Sequence, residues 1–152
     1  MRFRPILLAF APLMIAASCL GDATTNVDYP LVPIESTTFA PSLGVNLSAS
    51  TKTASGLYYR DIRIGTGKTI VAGDALNVKY SGALANGTPF DAGTYPFTIP
   101  GQVIQGWNEG LLGMKVGGSR QLIIPPSLGY GDRGSYPAIP PNAVLVFTVE
   151  PL

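Results

Sequence analysis

The chain has 152 residues, 46% hydrophobic and only 12% charged, with a net charge of +1, which suits one packed domain with a leader and a tail. Lys and Arg are scattered, so the basic stripe of a nucleic-acid binder is absent. There is no histidine and a single cysteine; Ser-His-Asp and Cys-His nucleophilic sites are excluded, and a metal such as zinc lacks its commonest ligands.

Met1 to Cys19 reads as an export signal. Arg2 and Arg4 supply the positive end, and Ile6 to Ala17 is an uncharged apolar run too short to span a bilayer comfortably. Ala16, Ala17 and Ser18 before Cys19 resemble a bacterial lipobox, although Ala16 stands where Leu is usual. The alternative is a plain secretory signal cleaved near Ala17 or Ser18, with Cys19 incidental. As the sole cysteine, Cys19 has no intramolecular disulfide partner. Lipidation there would anchor the protein without a spanning segment. The expected location is therefore the periplasm or cell envelope, on a bacterial membrane.

Residues 20–53 are rich in Ser, Thr, Ala and Pro and almost free of charge, the composition of a tether. Phe39, Leu43, Val45 and Leu47 leave open a second reading, an extra strand or arm laid on the domain. The domain itself is assigned to 54–152. Leu57 to Ile64 is strand-like, and Leu76, Val78 and Tyr80 alternate with Asn77 and Lys79 as in a half-buried strand. Asn86-Gly87 marks a turn, with Thr88 to Asp91 after it and a further short strand over Tyr95 to Ile99. Val103, Ile104, Trp107, Leu111 and Met114 form one apolar stripe that predicts a helix over about 103–115, ended by Gly117-Gly118. Arg120 to Ile124 and Val144 to Glu150 are strands, separated by a long Gly- and Pro-rich loop. The expected class is α+β: about five antiparallel strands with one short α-helix over one sheet face, the other face being free to meet solvent.

Six segments in this order resemble the FKBP family of peptidyl-prolyl isomerases. They are Val78-Lys79-Tyr80-Ser81-Gly82, Asn86 to Asp91 (NGTPFD), Val103 to Gly110 (VIQGWNEG), Met114 to Gly118 (MKVGG), Leu128-Gly129-Tyr130-Gly131 and Ile139 to Phe147 (IPPNAVLVF). The resemblance covers Gly56 to the C-terminus and implies a bent antiparallel sheet wrapped around a short helix. It also implies a peptidyl-prolyl cis-trans isomerase without a cofactor, whose partners are proline-containing segments of folding proteins and macrolide ligands. Carried across, the Trp107 indole is the pocket floor, and Tyr80, Phe90, Phe97, Val103, Ile104, Ile139 and Phe147 are its walls. Asp91, the Ile104 backbone N–H and the Tyr130 hydroxyl are the polar contributors.

Two departures are visible. The Asp91–Phe97 segment is short and lacks the Arg that contacts the Asp in small family members, and Ser135-Tyr136 stand where a His-Pro pair can occur. Taken alone, Trp107, Phe147, Phe97 and Tyr80 read as core, a reading the motif match reverses for Trp107 and less firmly for Tyr80; Asp91 is readable as a turn or cap residue, and Glu109 and Arg120 as solvated or paired surface charges. A binding module that holds proline segments without turnover is the rival reading of the same pocket. A surface adhesion module would account for export but not for the order of the segments. With no inserted domain or long helical arm, a monomer is expected.

Overall fold

The computed structural model describes residues 28–152; the signal, Cys19 and the start of the 20–53 stretch lie outside them. Six strands form one antiparallel sheet, one more than the sequence suggests. They are β1 (Thr51–Lys52), β2 (Tyr58–Arg63), β3 (Ala75–Leu84), β4 (Pro89–Thr98), β5 (Ser119–Ile124) and β6 (Leu145–Pro151), in the spatial order β1-β2-β5-β6-β3-β4. The additional strand is β1, two residues that pair with Tyr58 and Tyr59. Between β4 and β5 the chain makes α1 (Gln105–Gly110), which crosses the inner face of the sheet.

The helix is shorter than its apolar stripe. Ile104 is extended (φ −58°, ψ 147°), so α1 begins only after it. Gly113, at φ +76°, turns the chain out of the helix well before Gly117. Val103, Ile104 and Met114 still point inward, delivered by the flanking turns. Gly106 and Gly110 lie four residues apart on the face toward β5. A Cβ on Gly106 would stand 2.7 Å from Ile124 Cδ1, and one on Gly110 2.6 Å from Leu122 Cδ2. The bare backbone lets α1 sit directly on β5.

Strand β4 is continuous where two short pieces were expected. Ala92, Gly93 and Thr94 stay in register with Ser81, Tyr80 and Lys79, so the short Asp91–Phe97 segment completes a ten-residue strand. Its hairpin with β3 turns at Gly87 (φ +90°), and Asn86 Oδ1 accepts the Thr88 N–H at 3.0 Å.

Strand β5 is buried along its whole length, which alternation alone does not explain. Leu122 and Ile124 face α1, whereas Ile123 faces the other way with Tyr58, Val144 and Val146. That outer face is covered. Ile34 is buried against it, and Phe39, Leu43, Val45 and Leu47 pack beside Ile34. The expectation of a solvated second face therefore fails in the middle of the sheet. Residues 34–49 make three short 3₁₀ turns held down by polar contacts as well. Gln121 Nε2 donates to Leu43 O at 2.7 Å and Arg60 Nη2 to Gly44 O at 2.9 Å. Glu35 pairs with Lys52 and accepts from Tyr58 Oη at 2.6 Å. Those two hydrogen bonds, Lys52 first, lower its carboxyl to a pKa of about 2.

Arg120 is not a surface charge. It is 6% exposed, with Nε and Nη2 on the two Asp61 oxygens at 2.6 and 3.0 Å. Its Nη1 donates to Gly110 O at 2.9 Å, and the guanidinium stacks 4.5 Å from the Tyr59 ring centroid. The side chain thus caps the last turn of α1 and ties it to β2. Glu109, by contrast, is a surface group bonded to Ser55 Oγ.

Candidate active site

The inner face of the sheet, α1 and two loops enclose a cleft of about 300 Å³. Trp107 is its floor. The indole is 4% exposed and is met edge-on by Tyr80 (centroids 5.0 Å, 74°) and Phe147 (5.4 Å, 85°). Contacts of this kind fix the ring orientation. Its Nε1 is buried without a hydrogen-bond partner among the described residues, an unsatisfied donor at the base of an apolar site. Phe90 meets Phe147 edge-to-face at 5.4 Å. Gly82 makes room for this pair, since a Cβ there would lie 2.6 Å from Phe147 Cε1 and 2.8 Å from Phe90 Cζ.

Tyr80, Phe90, Asp91, Val103, Ile104, Trp107, Tyr130, Ile139 and Phe147 all line the cleft. Phe97 does not; its ring packs against the floor, 6.1 Å from Trp107 and 6.1 Å from Tyr95. It supports the site rather than walling it. Consecutive residues Phe90 and Asp91 both reach the cleft because the pairing slips between Gly82 and Ala83, a local bulge that breaks strict alternation. Tyr95, Gln102 and Ala138 also line it and were not anticipated, as does Ser135, which the sequence marked only as a departure from the family pattern. Tyr95 was legible in principle: in an unbroken strand it falls two steps of two from Asp91, on the same face. Ser135 and Ala138 carry no such signal, because an irregular loop places them. Tyr136, between them, is 91% exposed.

The polar rim is built from two loops and a strand. Asp91 Oδ2 accepts the Tyr80 hydroxyl at 2.8 Å. None of the three ion pairs among the described residues involves Asp91, as the missing Arg implies, and its recorded partner is a phenol, not a backbone N–H of a turn or cap. Burial raises the Tyr80 phenol, and the bond to Asp91 raises it further. The Tyr130 phenol is also raised, chiefly by burial and then by the Asp91 charge, so it remains a protonated donor at neutral pH. Tyr130 is held by a tight loop in which Gly134 N–H donates to its carbonyl at 3.1 Å. Gly134 is at φ +64°, and a Cβ would lie 2.4 Å from Ile139 O, so only glycine fits. Across the cleft, Ile104 gives its carbonyl to Trp107 N–H at 3.0 Å, while no backbone acceptor takes its own N–H among the described residues.

Residues 66–152 match the family model described as FKBP-type peptidyl-prolyl cis-trans isomerase. The chain belongs to this family. All the cleft residues fall within the matched FKBP-type stretch; the covering arm lies before it. A Neisseria meningitidis serogroup B relative, "FK506-binding protein", is 48% identical over 101 residues, 62% of this chain and 93% of the relative. A Haemophilus influenzae relative, "Probable FKBP-type peptidyl-prolyl cis-trans isomerase", is 45% identical over 105 residues, 66% of this chain and 43% of the relative. The match spans only 22% and 28% of the FK506-binding protein 4 chains of Chaetomium thermophilum and Dictyostelium discoideum. Among solved structures, AtFKBP13 superposes with a TM-score of 0.63 at 37% identity, over 67% of this chain and 95% of that one. FkpA from Escherichia coli gives 0.63 at 39% identity, over 68% and 50%. The FKBP-like architecture implied by the sequence, a sheet around one short helix, is the one these neighbours share.

Proposed function

We propose that the chain is a peptidyl-prolyl cis-trans isomerase that speeds X–Pro isomerisation in exported proteins and so assists their folding. The observation that carries this reading is the Trp107 floor, walled by aromatic and aliphatic side chains and rimmed by Tyr130 and the Ile104 N–H, which has no acceptor among the described residues. Rotation about an X–Pro bond meets a barrier of about 18–20 kcal/mol, set by amide resonance. The reaction makes and breaks no bond between heavy atoms, so it needs only that the twisted amide be held better than the planar one. The cleft receives the proline ring against the indole and fixes it while the preceding carbonyl turns. It also strips water from the amide, which disfavours the dipolar planar form more than the twisted form. The Ile104 N–H and the Tyr130 hydroxyl are the donors for the rotated carbonyl. A thousandfold acceleration requires about 4 kcal/mol, within reach of burial plus one aimed hydrogen bond.

Tyr130→Phe removes a donor and keeps the ring. It is expected to lower kcat/KM by about tenfold, one hydrogen bond's worth, with the melting temperature unchanged. Because the folded phenol titrates above its ordinary value, the parent's rate should stay flat through neutral pH and fall only beyond about pH 10. A parent profile that fell near neutrality, or a Tyr130→Phe enzyme as fast as the parent, would remove Tyr130 from the mechanism.

The same cleft suits a macrolide with a proline-like ring, in line with the names of the relatives. Export and a lipid on Cys19 complete the proposal, supported by the charged start, the apolar run and the lone cysteine before residue 20. Expressed in a bacterium, the full chain should enter the detergent phase on Triton X-114 partitioning, and Cys19→Ser should move it to the aqueous phase. Equal partitioning of the two would leave the plain secretory signal.

A further inference from the structure

The covering arm touches both shoulders of the cleft. At its start, the Tyr29 carbonyl accepts a hydrogen bond from Asn142 Nδ2 at 2.8 Å. Asn142 closes the 129–142 loop: its own N–H donates to Gly131 O at 2.8 Å, beside Tyr130. It does so in the left-handed conformation, φ +55°, unique among the described non-glycine residues, a state Asn tolerates better than most side chains. Two residues on, Val144 is buried in the same cluster as the arm's Ile34. Farther along the arm, Ala40 N–H donates to Ala85 O at 2.8 Å, and a Cβ on Gly87 would stand 3.0 Å from Ala40 Cβ. That second contact holds the turn leading into Phe90 and Asp91. The arm thus runs behind the sheet from the loop carrying Tyr130 to the hairpin carrying Asp91.

We infer that the arm is part of the catalytic apparatus, with Asn142 as a positioning residue that holds the Tyr130 loop over the cleft by its bond to Tyr29. The inference rests on the isomerase reading of the cleft and adds to it residues that line no part of that cleft. The Gly129 and Gly131 N–H groups anchor the start of the loop on Pro126 O, and within it the backbone bonds are Gly134 to Tyr130, Ser135 and Ile139 with each other, and Asn142 to Gly131. Past that anchor, the bond from Asn142 to Tyr29 is the one hydrogen bond among the described residues that ties 132–142 to a segment outside the loop, and such a tether shifts how often Tyr130 stands in place.

The test uses Asn142→Asp and Asn142→Gly in the full chain. Both tolerate positive φ, and neither can donate to the Tyr29 carbonyl, so the tether is lost while the backbone turn is kept. Amide hydrogen exchange of Gly134, Ser135 and Ile139 is measured beside that of Leu122 and Phe147, together with kcat and KM on an X–Pro tetrapeptide. The expected result is faster exchange confined to the loop and kcat/KM lowered about three- to tenfold, the scale of one hydrogen bond. A merely structural bond would speed exchange in loop and sheet alike. Loop exchange equal to the parent's overturns the inference, as does faster loop exchange with kcat/KM unchanged. A parent that shows no isomerase activity sinks the proposed function instead; the exchange data then decide the tether alone, with unchanged loop protection refuting it.

Discussion

Trp107→Ala is expected to destabilise the protein by about 3–5 kcal/mol, the usual loss for emptying a buried aromatic site, and to abolish detectable isomerisation. The indole touches three aromatic rings, of Tyr80, Phe97 and Phe147. Its removal opens a void that those rings, fixed on strands, cannot close. Against a total stability of about 5–15 kcal/mol, such a loss is large enough to leave a partly unfolded population. Trp107→Phe separates the two effects: it keeps a ring on the floor and should cost less stability, yet still lower kcat/KM by more than about tenfold, because it shortens the surface on which the proline ring rests. Urea unfolding and the peptide assay read the two quantities. A Trp107→Ala protein that was stable and active would mean that substrate binds elsewhere.

Gly106→Val is the second large effect. Glycine inside a helix costs about 1 kcal/mol relative to alanine, so on propensity alone a replacement should help. Contact with β5 reverses the sign. The first carbon of any side chain at 106 would fall 2.7 Å from Ile124 Cδ1 and 2.7 Å from Ile124 Cγ2, and Ile124 is fully buried. Overpacking of this kind costs about 1–3 kcal/mol, and valine adds two branches to the clash. Because Trp107 is the next residue, lifting α1 off the sheet also displaces the cleft floor. The variant should therefore melt several degrees lower and lose activity together, with Gly106→Ala between it and the parent. A melting temperature unchanged in Gly106→Val would show that α1 is not seated on β5 as described.

Much of the sheet was legible because its strands follow period two and are separated by unambiguous turns. Leu76 and Val78 on β3 are buried between exposed Asn77 and Lys79, as their spacing implies. The errors came where tertiary contacts override a local pattern. The stripe Val103 to Met114 has helical spacing, yet only Gln105–Gly110 is helical, since extended Ile104 and left-handed Gly113 deliver the end residues by turns. The apolar run in β5 is only Leu122-Ile123-Ile124, after Ser119, Arg120 and Gln121, and nothing within β5 says that a segment some 80 residues earlier covers its second face. Arg120 reads as a surface charge because its partners, Asp61 and the Gly110 carbonyl, are distant in sequence or on the backbone. The cleft was legible at Tyr80, Phe90, Asp91, Trp107 and Phe147, where motif order fixes position, but on β4 Phe97 was taken for a wall where Tyr95 lines the cleft. Its loop residues were less so: Ser135 and Ala138 owe their place to a glycine-shaped turn rather than to any repeat.

The most direct test of the isomerase assignment is the cis-to-trans rate of an X–Pro tetrapeptide in the presence of catalytic amounts of the purified chain, followed by NMR exchange spectroscopy. The account predicts acceleration proportional to enzyme concentration, with saturation as the cleft fills. A folded chain that binds the peptide but leaves its exchange rate at the uncatalysed value would contradict it, and would make the cleft a proline-binding site without turnover.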